Sequence, residues 1–285
     1  MHTFTVKEHE AGWPLLQFLQ EQIPTAGRGY LRQLIKKGRV SIAGQVCTEN
    51  TLLIPAQQIQ LRDSARLREL CAEASIPAAA LNILYESEQM LVVDKPAGLA
   101  VHTGSGHESD NLNARVQVYL QGKPYQVAPI HRLDVGTSGP VLFGKGKKSC
   151  AALGMLFMRH EAEKVYVALV QGNMQGGGVL AHELLAKGKL KPCVTSFVTR
   201  KRCEEASLVE LTLVTGRQHQ IRRQLAETGH PIFGDSRYGG EALPGLQYPF
   251  LHCSSIAFTD PFNGAPLKIE SPLPPALQEV ADIYF

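Results

Sequence analysis

The chain has 285 residues, 44% hydrophobic and 19% charged, with a formal net charge of +3. That balance excludes an intrinsically disordered chain, and the charge is too slight by itself to announce a nucleic-acid partner. Six scattered cysteines (Cys47, Cys71, Cys150, Cys193, Cys203, Cys253) with no Cys-x-x-Cys pair argue against a zinc ribbon or dithiol motif and for a reducing compartment.

In chain order, the first ten residues lack the apolar run of a signal peptide, and no apolar stretch approaches a membrane span. A cytoplasmic protein with no membrane partner is expected. Residues 1–62 read as a small α/β domain. Leu15, Leu16, Phe18 and Leu19 form the apolar side of a short helix opened by Pro14, a residue tolerated in a first turn. Pro24, Gly27 and Gly29 break the chain. Tyr30, Leu31, Leu34 and Ile35 then repeat at helical spacing, with Arg28, Arg32, Lys36 and Lys37 on or beside the polar side, until Gly38. Val40-Ser41-Ile42 alternates as a strand before a turn at Gly44, and Ile59-Gln60-Leu61 closes the domain. Residues 63–80, Ala-rich and containing Pro77, read as a linker.

A larger domain is predicted over 81–285. Its strands are Leu91–Val93, Val141–Phe143, Val165–Val170, Leu208–Val214 and Ile256–Phe258, and its clearest helices are Ser149–Phe157 and His219–Thr228. Strands outnumber helices without regular alternation, which disfavours a doubly wound parallel sheet. The class expected is α+β, with a mixed, mainly antiparallel sheet flanked by helices.

One segment stands apart: His131-Arg132-Leu133-Asp134-Val135-Gly136-Thr137-Ser138-Gly139. On an extended segment Arg132 and Asp134 point to the same face, so both can look into one cleft. The plainer alternative is an aspartate that hydrogen-bonds its own turn at Thr137 and Ser138.

This stretch resembles the signature of the RluA-type pseudouridine synthases, which isomerise uridine in RNA. Three further segments resemble that family in the same order. They are Val92-Val93-Asp94-Lys95-Pro96-Ala97-Gly98, Lys164-Val165-Tyr166-Val167-Ala168, and Thr215-Gly216-Arg217-Gln218-His219-Gln220-Ile221-Arg222 followed by Gly229-His230-Pro231-Ile232 and Gly234-Asp235. The small N-terminal domain resembles an S4-type RNA-binding module. It departs from that pattern at Gly12-Trp13-Pro14, where Arg-x-Asp is common, and at Ile42-Ala43-Gly44, where Val-Asn-Gly is favoured.

The resemblance implies the pseudouridine synthase fold and a set of roles. Conversion of uridine to pseudouridine breaks the N1–C1′ bond, turns the base and forms a C5–C1′ bond without water, so the second acid of glycoside hydrolysis is not needed. Asp134 takes the catalytic position, as nucleophile or as base and charge stabiliser. Arg222 is the cation expected to hold it ionised, by a planar fork suited to carboxylate. Tyr166 packs on the uracil and is a candidate for removing the C5 proton. Arg132 fills the gap left by an extruded base, and His131 orients the loop. Lys95, Pro96 and Gly98 shape the rim. Arg28, Arg32 and Lys36 contact RNA. Gly104-Ser105-Gly106 is a weak phosphate-cradle candidate, while His219 and Gln220 are expected to tie loops or pack the helix.

The ten histidines show no metal-ligand spacing, so neither metal nor cofactor is expected. The expected partner is RNA, with ribosomal RNA favoured by the S4-like attachment and transfer RNA, as for a tRNA pseudouridine synthase, the alternative; the chain is expected to act as a monomer. Two other classes remain open on the residues alone. One is a non-catalytic RNA-binding assembly factor. The other is a glycoside hydrolase drawing a second acid from Asp94 or Asp235, each of which also has a turn-like structural explanation.

Overall fold

The computed structural model describes residues 2–23, 26–62, 64, 67, 81–103, 110–186 and 189–285. Most of the predicted linker and the Gly104-Ser105-Gly106 stretch lie outside these residues. The chain divides into two compact units, one of residues 1–80 and 102–121, the other of residues 81–101 and 122–285.

In the first unit, β1 (His2–Thr5), β2 (Val40–Ile42), β3 (Gln45–Val46) and β4 (Gln58–Leu61) form an antiparallel sheet in the order β1-β4-β2-β3. Helices α1 (Leu15–Gln22) and α2 (Arg28–Lys36) share one buried core with that sheet, through Leu15, Phe18, Leu19, Leu31, Leu34, Val40, Ile59 and Leu61. Arg28, Arg32 and Lys36 are exposed on α2. Their spacing of four residues aligns them along one face. A third helix, α3 (Leu112–Tyr119), was not predicted; Asn111 caps it by accepting from the Ala114 N–H at 3.0 Å.

In the second unit, β5 (Asn82–Glu86), β6 (Met90–Lys95), β7 (Val127–Pro129) and β8 (Gly139–Lys145) make a four-stranded sheet in the order β5-β6-β8-β7. Six strands make the other: β9 (Glu163–Gln171), β10 (Gly177–Ala186), β11 (Lys189–Arg202), β12 (Ala206–Leu213), β13 (Leu251–Thr259) and β14 (Pro266–Glu270). Their order is β10-β11-β12-β9-β13-β14. Every ladder among the described residues is antiparallel, so the class is α+β, divided between two sheets in this unit rather than one. Helix α4 (Lys147–Met158) buries Leu153 and Leu156 against Val92 and Leu142 of one sheet and Ile256 and Phe258 of the other. Helices α5 (Gln220–Glu227) and α6 (Pro275–Asp282) complete the unit. No helix among the described residues is long and apolar enough to cross a membrane.

Two glycines meet conformational demands. Gly139 has φ +123°, and a β-carbon there would collide with the Cys253 carbonyl, so β8 begins where its backbone presses on β13. Ala43 and Gly44 both take positive φ, 50° and 80°, as a two-residue β2–β3 hairpin requires. An alanine in that conformation is strained. Ala43→Asn is therefore expected to recover part of the ~1–2 kcal/mol left-handed penalty, read as a rise in the thermal unfolding midpoint. An unchanged or lower midpoint would refute this account of the turn.

Candidate active site

Residues 130–138 run as an irregular loop from β7 to β8 and are fastened at several points. The Leu142 N–H donates to His131 Nε2 at 3.1 Å, and the imidazole stacks on Phe157 with ring centres 4.7 Å apart. Burial, helped by the Lys164 charge, pushes the His131 pKa down to about 3. The ring is therefore neutral, and one nitrogen is committed to the backbone. The Val135 carbonyl accepts from the Gly98 N–H at 2.7 Å and from Lys95 Nζ at 3.2 Å. Ser138 is held by β13: its hydroxyl lies 2.9 Å from His252 Nδ1, and its carbonyl accepts from the Cys253 N–H at 2.8 Å. His252 Nε2 lies 3.0 Å from the Ser271 carbonyl, which can only accept. Nδ1 therefore accepts from Ser138.

Lys95 corrects the expectation of a substrate-binding rim residue. Its side chain has no exposed surface, and its ammonium donates to the carbonyls of Pro96, Leu99 and Val135 at 2.9, 2.8 and 3.2 Å. Burial draws its pKa down to about 7, against the opposing pull of Asp134 and Asp94. Three carbonyls match the three donors of an ammonium, so Lys95 braces the loop from below.

The fastened loop presents Asp134 to a cavity of about 510 Å³, also lined by Arg132, Lys164, Tyr166, Arg217, His219 and Arg222. The Asp134 side chain is 19% exposed and turns into this cavity rather than onto its own turn, where only the backbone bond from the Thr137 N–H to the Asp134 carbonyl (3.0 Å) remains. Arg222 in the first turn of α5 brings NH1 to 3.8 Å from the Asp134 carboxylate. The bidentate fork expected for that pair goes elsewhere: Nε and NH2 donate to the two oxygens of Asp235 at 2.6 and 2.7 Å. Asp235 is 1% exposed, so its turn-like explanation gives way to a buried ion pair. Burial works against the Arg222 charge, but the bonds and charge of Asp235, with Asp134, raise its pKa above the usual value.

His219 also departs from its expected role. It takes the left-handed conformation, φ 55°, at the entry to α5. Nε2 stands 3.8 Å from the Asp134 carboxylate, and Nδ1 shares a 2.9 Å hydrogen bond with the Tyr238 hydroxyl. Burial lowers its pKa, and the Arg222 and Arg237 charges add to that against the pull of Asp134 and Asp235. Gln220 behaves as expected of a loop tie, accepting from the Thr215 hydroxyl and the Arg217 N–H and donating to the Val194 carbonyl. His219 and Tyr238 were missed as site residues, and Asp235 was weighed only as a hydrolase's second acid; His219 and Asp235 were nonetheless present in the quoted C-terminal block.

Tyr166 lies on β9, 6% exposed, two residues from Lys164 and on the same side of the strand. Burial, with Cys253 and Asp134 adding to it, raises its phenol well above the ordinary value. The hydroxyl keeps its proton at neutral pH. Arg132 is exposed at the cavity mouth. In the N-terminal unit Arg32 is not a free cation, because its Nε donates to Glu49 at 2.7 Å; Arg28 and Lys36 are exposed.

A strand-rich α+β fold with one acid, one tyrosine and three arginines around a preformed cavity defines the class of protein. The chain matches the RNA pseudouridylate synthase family over residues 89–227. It is 31% identical to the ribosomal large subunit pseudouridine synthase C of Salmonella typhimurium (strain LT2), over 96% of this chain and 93% of the relative. It is 29% identical to the ribosomal large subunit pseudouridine synthase D of Xanthomonas campestris pv. campestris, over 96% and 90%. Among solved structures it resembles human RNA pseudouridylate synthase domain containing 4, with a TM-score of 0.59 and 23% identity over 70% of this chain and 92% of that one. The chain belongs to the RluA family of pseudouridine synthases and is an RNA uridine isomerase.

The Arg222–Asp235 pair generates a test. Asp235→Asn removes one partner of a buried pair, a loss of ~3–5 kcal/mol when uncompensated, and frees the guanidinium to swing toward Asp134. A lower thermal midpoint and a turnover reduced by roughly a hundredfold are expected. Wild-type turnover in the folded variant would show that Asp235 does not set the position of Arg222.

Proposed function

We propose that this enzyme isomerises uridine in large-subunit ribosomal RNA, with Asp134 as the group acting at C1′ of an extruded nucleotide. The reading rests on one observation: Asp134 is the only acidic side chain among the residues lining the cavity, and a cation stands 3.8 Å from it. Base isomerisation without water needs one carboxylate, whereas glycoside hydrolysis usually needs two. The other candidate acids are engaged elsewhere, Asp235 by Arg222 and Asp94 by Ser271 at 2.9 Å and Asn82 at 3.1 Å. The ribosomal substrate is supported by the names of relatives that align over nearly the whole chain, each a ribosomal large subunit pseudouridine synthase.

Asp134 acts as nucleophile on C1′ or as base and charge stabiliser beside it, while Arg222 stands 3.8 Å away as the nearby positive charge. Tyr166 offers its ring as a wall for the uracil. Its raised phenol works against direct proton abstraction unless the hydroxyl first loses its proton to another group. Arg132, at the mouth, fills the gap left by the target base, whose unstacking costs a few kcal/mol. Residues 1–62 act as an S4-like module that holds RNA through the exposed face of α2.

Mapping pseudouridine across cellular RNA with and without the gene, then assaying the purified enzyme on a fragment bearing the mapped uridine, tests this reading. Wild-type protein is expected to convert the uridine and Asp134→Asn to leave no product above background. Isomerisation by Asp134→Asn would remove the carboxylate from the chemistry. Release of free uracil would point to hydrolysis, and binding without product to a non-catalytic factor.

The role of α2 has its own check. Arg28→Ala with Lys36→Ala is expected to weaken RNA binding and reduce the log–log salt slope by about 0.7–0.9 per lost phosphate contact. Turnover on a saturating short RNA should stay near wild type; an equal loss at saturation would contradict the assignment.

A further inference from the structure

The cavity holds more positive charge than its chemistry uses. Arg222 is neutralised by Asp235 and faces Asp134, which leaves Lys164 and Arg217 on the inner wall and Arg132 at the mouth with no acidic partner among the described residues. Lys164 is half-buried. Its ammonium sits over the Phe157 ring at 5.5 Å from the centroid, and it shares a face of β9 with Tyr166. Burial lowers its pKa, and the smaller opposing pull comes from Cys253 rather than from a carboxylate.

Gly216 borders the Lys164 side chain: a β-carbon there would stand in ordinary contact, 3.7 Å from Nζ. The next residue, Arg217, lines the same cavity. Its Nε is buried and has no hydrogen-bond partner, while its backbone N–H is taken by Gln220 at 3.0 Å. A buried guanidinium N–H without an acceptor is uncommon and calls for an explanation. The residue types are those that bind phosphate, a compact ammonium and a planar fork. They lie on a fixed strand and on a turn braced by the Gln220 side chain.

We propose that Lys164 and Arg217 form a phosphate-binding subsite that takes the phosphodiester flanking the target uridine and so sets the sugar against Asp134. The proposal rests on the isomerase reading and adds to it a specific point of backbone recognition within the cavity. Arg132 is separate from the subsite, since its exposure suits stacking outside. Phosphate contacts fix register and orientation without reading sequence. The subsite would thus hold C1′ in place while the base is free to turn.

The test uses the full chain and a short RNA carrying the mapped uridine, prepared with normal phosphates or with one neutral methylphosphonate on either side of that nucleotide. Binding and single-turnover rate are measured for wild type, Lys164→Met, Lys164→Arg and Arg217→Gln. One of the two methylphosphonates is expected to weaken wild-type binding about tenfold or more, the scale of one charge-assisted hydrogen bond. Lys164→Met and Arg217→Gln should each lose a similar factor on normal RNA, show a salt slope lower by about 0.7, and lose little more on that methylphosphonate. Lys164→Arg should restore most of the binding.

The proposal is overturned if both variants bind normal RNA with wild-type affinity and slope, or if the methylphosphonate penalty is the same in variant and wild type. Should Lys164→Met fail to fold, the Arg217→Gln comparison decides alone. Because the readout is binding, absence of pseudouridine with wild-type enzyme would count against the isomerase reading while the phosphate comparison still judged the subsite.

Discussion

The arrangement around Asp134 depends on how one guanidinium is divided. Arg222 gives two donors to the buried Asp235 and keeps one nitrogen at 3.8 Å from Asp134. A bidentate bond to a carboxylate that is itself out of solvent locks the plane of the arginine before substrate arrives. Asp134 therefore feels a fixed positive field without being consumed by a tight ion pair. A carboxylate gripped in its own fork would be ionised but less available to a sugar carbon; a lone one in a dry pocket would tend to take up a proton. The intermediate distance reconciles the two demands.

The loop carrying Asp134 is held by groups that are buried and largely uninvolved in chemistry. His131 and His252 are both held neutral by burial, so each ring can combine one donor with one acceptor. Lys95 does the same work with a charge, crossing between the 95–99 turn and Val135. The ties come from β6, β8 and β13, which belong to both sheets of the unit. Moving the loop would break several buried hydrogen bonds at once, so the cavity is built in advance of its ligand.

The same economy explains the unequal treatment of the charged side chains. Asp94, Asp235, Lys95 and Arg222 each have side-chain hydrogen bonds within the protein. Lys164 and Arg217 do not, although they too are partly withdrawn from water. Burial of a cation is costly unless something answers it. A site that must bind a polyanion gains by leaving that answer to the ligand.

Much of this was legible in the residues. The apolar spacing that makes α1, α2, α4 and α5, the β-branched runs of β9 and β12, and the loop that puts Arg132 and Asp134 on one face are all set by neighbours within a few positions. That is the range over which backbone preference and periodicity act. The family motifs carried the identity of Tyr166 and Arg222 for the same reason, because each is a short string on one element. The strands β1, β5, β7, β10, β11 and β14 and the helices α3 and α6 were not read, since their patterns gain stability from packing rather than from local preference.

What only the tertiary structure decided are the partnerships. Arg222 chooses Asp235, thirteen residues on, over Asp134; Ser138 meets His252 across 114 residues; Lys95 turns inward to three carbonyls instead of out to the rim; and Arg32 is drawn to Glu49. Sequence determines which charges exist and on which element each one lies. Which opposite charge it meets, and whether water or protein completes its hydrogen bonds, depends on distances set when separate strands and turns pack together.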